Sequence, residues 1–239
     1  MKVLCIVLIV LLLLICAGIF CGLTTVRFPG RKRAGLRVAC VGDSLTYGCM
    51  IPGCFFRSYP RVLGRLLGKG YCVCNFGVSD RTAQRTGNKP YCREKAYRES
   101  LAFQPDIVVL LIGSNDIKDV NRISEEHFLQ EYDHLVGTYA ALPSHPRIIL
   151  CTPTTEYLPI AKLFYLTNDV PADRIGRLSE VIRGYAVEKG LELAELFLPT
   201  QGRRDLLGPD GVHPNARGAA FMAGEIYRVM QNVPAGSLR

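Results

Sequence analysis

The chain has 239 residues and a formal net charge of +8, and 49% of its residues are hydrophobic. Once an apolar N-terminal stretch is set aside, this length corresponds to about one domain, with enough apolar residues for a sizeable core. The positive charge does not indicate nucleic-acid binding, because Lys and Arg are scattered and cluster tightly only within residues 27–37. We therefore expect no nucleic-acid partner.

The N-terminal stretch is an uncharged apolar run over residues 3–23. A run of about twenty such residues is long enough to cross a bilayer as a helix. Lys2 precedes the run like the basic start of a secretory signal, but the residues that follow offer poor cleavage sites. We predict an uncleaved, single-pass membrane anchor over residues 1–25, and the alternative is a cleaved signal that leaves a secreted protein.

The basic cluster would form a linker over residues 26–36, next to anionic lipid headgroups. The positive-inside rule would keep the following domain in the cytoplasm, whereas a short N-terminal anchor ahead of a long domain behaves as an export signal. These two arguments conflict, and we expect the domain to be extracytoplasmic.

From residue 37 onward, short apolar runs alternate with longer amphipathic stretches, which is typical of βαβ units in a parallel sheet. The predicted strands cover residues 37–41, 71–76, 107–112, 147–151 and 191–194. The predicted helices cover residues 58–67, 93–103, 124–142, 173–189 and 215–230. The run at 107–112 is apolar on both faces, which suits a sheet covered by helices on both sides. We predict one domain over residues 37–232 with an α/β fold, a three-layer α/β/α sandwich around a five-stranded parallel sheet.

Seven of the ten cysteines follow the apolar run, and four of these fall in predicted buried strands, where cysteine behaves as a small hydrophobe. Cys49 and Cys54 share a predicted loop and would be able to pair in an oxidising compartment. Free thiols are the simpler interpretation. The chain has no Cys-x-x-Cys pair and no metal-ligand spacing among its histidines, so we expect neither a metal nor another cofactor.

Polar or small residues follow three of the predicted strands directly. They are Ser44, Gly77 and Asn115. Ligands of open parallel sheets bind beyond the carboxyl ends of the strands, so these residues should converge in space. Ser44 would be a nucleophile. The Asn115 side chain and the backbone N–H groups of Ser44 and Gly77 would be donors to an oxyanion.

Asp210 and His213 lie three residues apart in a loop before the last predicted helix. The carboxylate would hold one imidazole nitrogen while the other nitrogen takes the proton of Ser44. Pro214 disfavours helical backbone at His213, which places the imidazole just ahead of the helix.

The chain resembles the SGNH (GDSL) hydrolases in four sequence blocks, which occur in the family's order over almost the whole predicted domain. The blocks are Gly42-Asp43-Ser44-Leu45, Asn75-Phe76-Gly77-Val78-Ser79, Gly113-Ser114-Asn115-Asp116 and Asp210-Gly211-Val212-His213-Pro214-Asn215. The resemblance implies a flavodoxin-like sheet, with Ser44 as nucleophile, His213 as base and Asp210 as its orienting acid. It also implies an oxyanion hole of Ser44, Gly77 and Asn115.

One residue departs from the family pattern: Asp80 stands where such proteins often carry glycine after the serine of the second block. Within the family, the chain is similar to bacterial acylhydrolases and sialate O-acetylesterase-like proteins. The absence of a Gly-x-Ser-x-Gly motif makes an α/β-hydrolase elbow a poor alternative.

We therefore predict a serine esterase that removes a short acyl group, most simply acetyl, from a carbohydrate by way of an acyl-enzyme. Tyrosine, phenylalanine and basic residues interleave in the predicted loops, which favours a shallow polar cleft for a sugar, including an acidic one. One alternative is a lysophospholipase or thioesterase, and an alternative of another class is a non-catalytic glycan-binding domain. The sequence leaves the oligomeric state open.

Overall fold

The computed structural model describes residues 35–156 and 174–232. The predicted anchor over residues 1–25 lies outside these ranges and stays a prediction. Within the described ranges, no helix is both long enough and apolar enough to span a membrane.

The described part of the chain is built on a parallel five-stranded sheet. The strands are β1 (Leu36–Gly42), β2 (Tyr71–Gly77), β3 (Ile107–Leu111), β4 (Arg147–Cys151) and β5 (Glu192–Ala194). Their order is β2-β1-β3-β4-β5, which is the flavodoxin-like arrangement. All neighbouring strands are parallel. The predicted fold class is confirmed.

The longer helices follow the predicted bounds to within a few residues. They are α3 (Tyr59–Leu67), α4 (Lys95–Ala102), α5 (Glu125–Ala140), α6 (Arg174–Lys189) and α7 (Ala216–Gln231), and two four-residue helices precede them, α1 (Ser44–Tyr47) and α2 (Cys54–Arg57). Helix α4 begins later than predicted, because a 3₁₀ turn over Tyr91–Arg93 precedes it. Helices α5 and α7 begin where expected, because Ser124 and Asn215 cap their first turns with side-chain acceptors.

Helices cover both faces of the sheet. Alternate residues of β3 enter two separate cores, with Val109 in one and Val108 and Leu110 in the other. The Val109 core includes Leu63 of α3 and Met222 of α7, and the other core is closed by α5 and α6. This arrangement is the predicted three-layer sandwich.

The strand register brings the ends of three strands to one edge of the sheet. Gly42 at the end of β1 pairs with Gly77 on one side and with Leu111 on the other. The loops that follow β1, β2 and β3 therefore leave the sheet side by side. The cysteines at residues 40–151 form no disulfide with one another, so Cys49 and Cys54 are not paired as a disulfide.

Candidate active site

Ser44 is the first residue of α1, directly after β1. Asp43 caps this short helix, because its carboxylate accepts a hydrogen bond of 3.0 Å from the backbone N–H of Leu45. The helix lasts one turn and ends at Gly48, which has a φ of 91°. The backbone N–H of Ser44 lies at the helix start, where intrahelical acceptors are lacking, so it is suited to bind an anion.

His213 and Asp210 lie next to Ser44. The Ser44 hydroxyl lies 2.9 Å from Nε2 of His213, and Nδ1 of His213 lies 2.5 Å from Oδ2 of Asp210. The other oxygen of Asp210 accepts the backbone N–H groups of Val212 and His213 at 3.1 and 3.0 Å. The three side chains thus form one hydrogen-bonded chain across 169 residues of sequence.

The electrostatics of the three hydrogen-bonded side chains suit a base that is held by a charged carboxylate. Burial opposes the charge on Asp210, but the hydrogen bonds from the His213 ring and from two backbone N–H groups outweigh it, so the pKa of Asp210 is lowered. An ionised Asp210 keeps the proton of the imidazole on Nδ1, which leaves Nε2 to accept the proton of Ser44.

Asn115 follows β3 and is 6% exposed. Its Nδ2 donates to the backbone carbonyl of Arg81 at 3.0 Å and lies 3.5 Å from the Asp43 carboxylate. Asn121 fixes the residue from the other side by donating 2.8 Å to its carbonyl. The amide is therefore held in place at the wall of the cleft that contains Ser44.

The structure does not bring the N–H of Gly77 to the cleft. That N–H donates to Oδ1 of Asn75 at 2.8 Å, and the residue packs under α1. A Cβ at position 77 would lie 2.3 Å from the backbone nitrogen of Tyr47, so a glycine is needed here for close packing. In this structure the lack of a side chain at Gly77 allows close packing, and its N–H faces Asn75 rather than the cleft.

Asp80, in the same loop, faces the cleft. It has a φ of 64°, a left-handed conformation that glycine adopts more readily than other residues. Its carboxylate contacts the ammonium groups of Lys89 and Lys118 at 2.5 and 2.7 Å. Partial burial raises the pKa of Asp80, but the two lysines outweigh this and the net pKa is lowered. Within residues 35–156 and 174–232, its backbone N–H has no hydrogen-bond acceptor.

These groups surround a cleft of about 400 Å³. Besides Ser44, His213, Asn115 and Asp80, its walls include a set of polar side chains to which the sequence assigned no role in the site. They are Cys49, Ser79, Ser114, Lys118, Thr154 and Glu156. Thr154 and Glu156 lie in the segment after β4, where no motif marked them.

Two of the polar groups around the site are buried carboxyls. Asp43 is 0% exposed, and burial raises its pKa to about 6. Burial also raises the pKa of Asp116 to about 7, although this carboxyl accepts the backbone N–H groups of Ala83 and Gln84 at 2.9 and 3.0 Å. Asp116 therefore ties the loop after β2 to the loop after β3.

Cys49 does not compete with Ser44 as a nucleophile. Burial raises the pKa of its thiol above the ordinary value, so the reactive thiolate is scarce near neutral pH. In the described ranges, no three His, Cys, Asp or Glu side chains are grouped so that they could hold a metal ion.

Known proteins resemble this chain in sequence. The model of the GDSL-like lipase/acylhydrolase family matches residues 40–221. An acetylxylan esterase from Xylanibacter ruminicola is 34% identical over 212 residues, which is 82% of this chain and 43% of that protein. The chain thus spans less than half the length of this curated relative.

Solved structures resemble it in fold. Est24, a carbohydrate acetylesterase from Sinorhizobium meliloti, has a TM-score of 0.64 at 21% identity and covers 82% of this chain and 98% of its own. An aryl esterase from M. smegmatis has a TM-score of 0.65 at 17% identity, covering 84% and 100% of the two chains. A lipase/acylhydrolase from Enterococcus faecalis has a TM-score of 0.63 at 21% identity, covering 82% and 95%.

Proposed function

Because the chain belongs to the GDSL-like lipase/acylhydrolase family, we propose that it is a serine esterase that removes an acetyl or similarly short acyl group from a carbohydrate. The observation that carries this proposal is the hydrogen-bonded chain from Ser44 through His213 to Asp210 at the wall of an open cleft. The acetylxylan esterase relative supports an acetyl ester of a sugar as the substrate.

The proposed reaction steps follow from an ionised Asp210 and from a His213 ring that carries its proton on Nδ1. His213 takes the proton of Ser44 as Oγ attacks the ester carbonyl, and Asp210 stabilises the imidazolium that forms. The tetrahedral intermediate then collapses, and the leaving alcohol takes the proton from His213. Acyl-Ser44 remains. Water enters, gives its proton to His213 and attacks the acyl carbon, which releases the carboxylic acid and restores Ser44.

The tetrahedral intermediate carries a negative charge that needs hydrogen-bond donors already in place. We assign these donors to the backbone N–H of Ser44, the side-chain amide of Asn115 and the backbone N–H of Asp80. Asp80 takes the role that the family resemblance gave to Gly77, because the Gly77 N–H is already donated to Asn75.

The cleft favours a short acyl group. Its described walls mix apolar side chains such as Ile117 and Ile175 with the charged side chains of Asp80, Lys118 and Glu156. A long acyl chain gains about 0.8 kcal/mol for each methylene only if an apolar channel receives it. The lysophospholipase and thioesterase alternatives require such a channel.

The proposal is tested by activity and covalent labelling together. The wild type should hydrolyse p-nitrophenyl acetate and acetylated xylo-oligosaccharides and should react with a fluorophosphonate probe, whereas Ser44→Ala should do neither while keeping its melting temperature. With p-nitrophenyl esters, kcat/KM should be highest at acetate or propionate and fall beyond butyrate. Equal labelling of both proteins would refute the nucleophile, and a rise through octanoate would favour a lipid acyl ester.

A further inference from the structure

Thr154 and Glu156 are two polar residues of the cleft that the proposed reaction steps do not use. Thr154 is 4% exposed, and its Oγ1 forms no hydrogen bond with any residue that the structure describes. Glu156 lines the same cleft and is partly buried. A buried polar group without a partner destabilises the fold. Such groups at the wall of an active-site cleft are therefore suited to bind a ligand.

The segment that carries these side chains is held firmly. The Thr152 hydroxyl accepts the backbone N–H groups of Leu196 and Phe197 at 2.7 and 3.0 Å. The backbone N–H of Thr155, between the two cleft residues, donates to Oγ1 of Thr200 at 3.0 Å. These bonds tie the segment after β4 to the segment after β5, so Thr154 is presented on a fixed support.

The charges of the cleft select against an anionic ligand. Glu156 contributes a carboxyl, and burial raises its pKa, an effect that His213 and Lys118 only partly offset. The ammonium of Lys118 is already 2.7 Å from the Asp80 carboxylate. An anionic acceptor would thus meet two carboxyl groups and a lysine that is already paired, whereas a hydroxyl group can donate to a carboxylate.

We propose that Thr154 and Glu156 form the subsite for the alcohol part of the ester and recognise free hydroxyl groups of a neutral, polyhydroxylated acceptor. A hydroxyl next to the acylated position donates to the Glu156 carboxylate, and the Thr154 hydroxyl bonds to the same or the neighbouring oxygen. This inference rests on the proposed esterase function and narrows its substrate. It also replaces the acidic sugar considered from sequence by a neutral one.

The subsite is tested with two esters that share the acetyl group and differ in the alcohol, 2,3-dihydroxypropyl acetate and propyl acetate. The wild type should have the higher kcat/KM on the dihydroxypropyl ester. Glu156→Gln should lower the ratio of the two kcat/KM values about 10-fold or more, the usual size for a hydrogen bond to a charged group. Thr154→Val should lower the ratio less. Thr154→Ser retains the hydroxyl and should keep the ratio close to the wild-type value.

Two further measurements complete the experiment. One uses a negatively charged substrate, and the other uses a control variant outside the cleft. On an acetylated uronic acid, Glu156→Gln should gain activity relative to the neutral sugar, because a repulsive charge is removed. Glu188→Gln makes the same chemical change on a side chain that is 70% exposed near the end of α6, outside the cleft, and should leave the ratio as in the wild type.

Two outcomes decide between the ideas. A Glu156→Gln variant with an unchanged ratio of the two kcat/KM values would overturn the subsite, and an equal loss on both esters would show that the residue acts through His213. Failure of the wild type on acetylated sugars, with activity on propyl acetate, would instead refute the carbohydrate assignment, since the comparison of the two small esters contains no sugar.

Discussion

At the scale of single residues, catalysis depends on which hydrogen-bond donors of the site are still able to bind a ligand oxygen. One hydrogen of the Asn115 amide is used on the Arg81 carbonyl at 3.0 Å. The other points toward Asp43 across a weak contact of 3.5 Å. A ligand oxygen can compete for this second hydrogen with little loss, which suits a donor that acts in the transition state.

Asn115→Ala should therefore lower kcat about 10²–10³-fold, the usual effect of removing one oxyanion donor. KM for p-nitrophenyl acetate should change much less, because the interaction is made in the transition state and not with the bound ester. Steady-state kinetics test this, together with a melting temperature to establish that the variant is folded. A wild-type kcat in a folded variant would make Asn115 a loop residue without a role in the reaction.

The residue scale also shows where sequence reasoning ends. Ser44, Asp210 and His213 could be chosen from sequence because they directly follow a strand or precede a helix, and strand ends converge in a parallel sheet. Glu156 could not be chosen, because an acidic residue in an unpatterned segment is most often solvated. Only the shape of the cleft sets it apart.

At the scale of elements, the strands and long helices were predictable because each has a clear hydrophobic period or an uninterrupted apolar run. The four-residue helices α1 and α2 were not, since one turn is too short to display a period. The oxyanion donor in the loop after β2 is difficult to choose from sequence for a related reason. Sequence shows that Gly77 is glycine, but not whether its lack of a side chain serves packing or catalysis.

The same loop gives a prediction about Asp80, whose backbone is held at a φ of 64°. Asp80→Gly should retain more activity than Asp80→Ala. Glycine adopts this conformation without the penalty of about 1–2 kcal/mol that a Cβ incurs, and both variants lose the lysine contacts. The ratio of kcat values on p-nitrophenyl acetate measures the difference. If alanine were equal to or better than glycine, the position of the Asp80 N–H would not matter for turnover.

At the scale of the whole described domain, buried carboxyl groups next to the candidate active site also affect how stability depends on pH. Asp116 joins the loops after β2 and β3 from inside the protein. The pKa of Glu131 is shifted in the opposite direction from that of Asp116, because Arg85 lowers it to about 2. Glu131 is therefore ionised throughout the neutral range, and the pH dependence of folding in that range comes from groups such as Asp116 and Asp43.

The sign of that dependence follows from the raised pKa of Asp116, about 7 in the folded protein against an ordinary value of 3.8. Between these values the folded protein holds a proton that the unfolded chain releases, so the free energy of unfolding should fall as pH rises. The contribution is complete below the ordinary pKa and is lost as pH passes through about 7. Its full size is on the order of 4 kcal/mol, at roughly 1.4 kcal/mol for each pKa unit.

Asp116→Asn removes this proton uptake. Urea unfolding at several pH values between 5 and 8 should show the wild type losing stability toward pH 8 and the variant losing less, whatever the absolute stability of the variant. The slope is the decisive quantity, because the amide also disturbs the two hydrogen bonds from Ala83 and Gln84. Parallel slopes in the two proteins would mean that Asp116 is ionised over the whole range in the folded state, and that the loops after β2 and β3 are joined by a charged carboxylate.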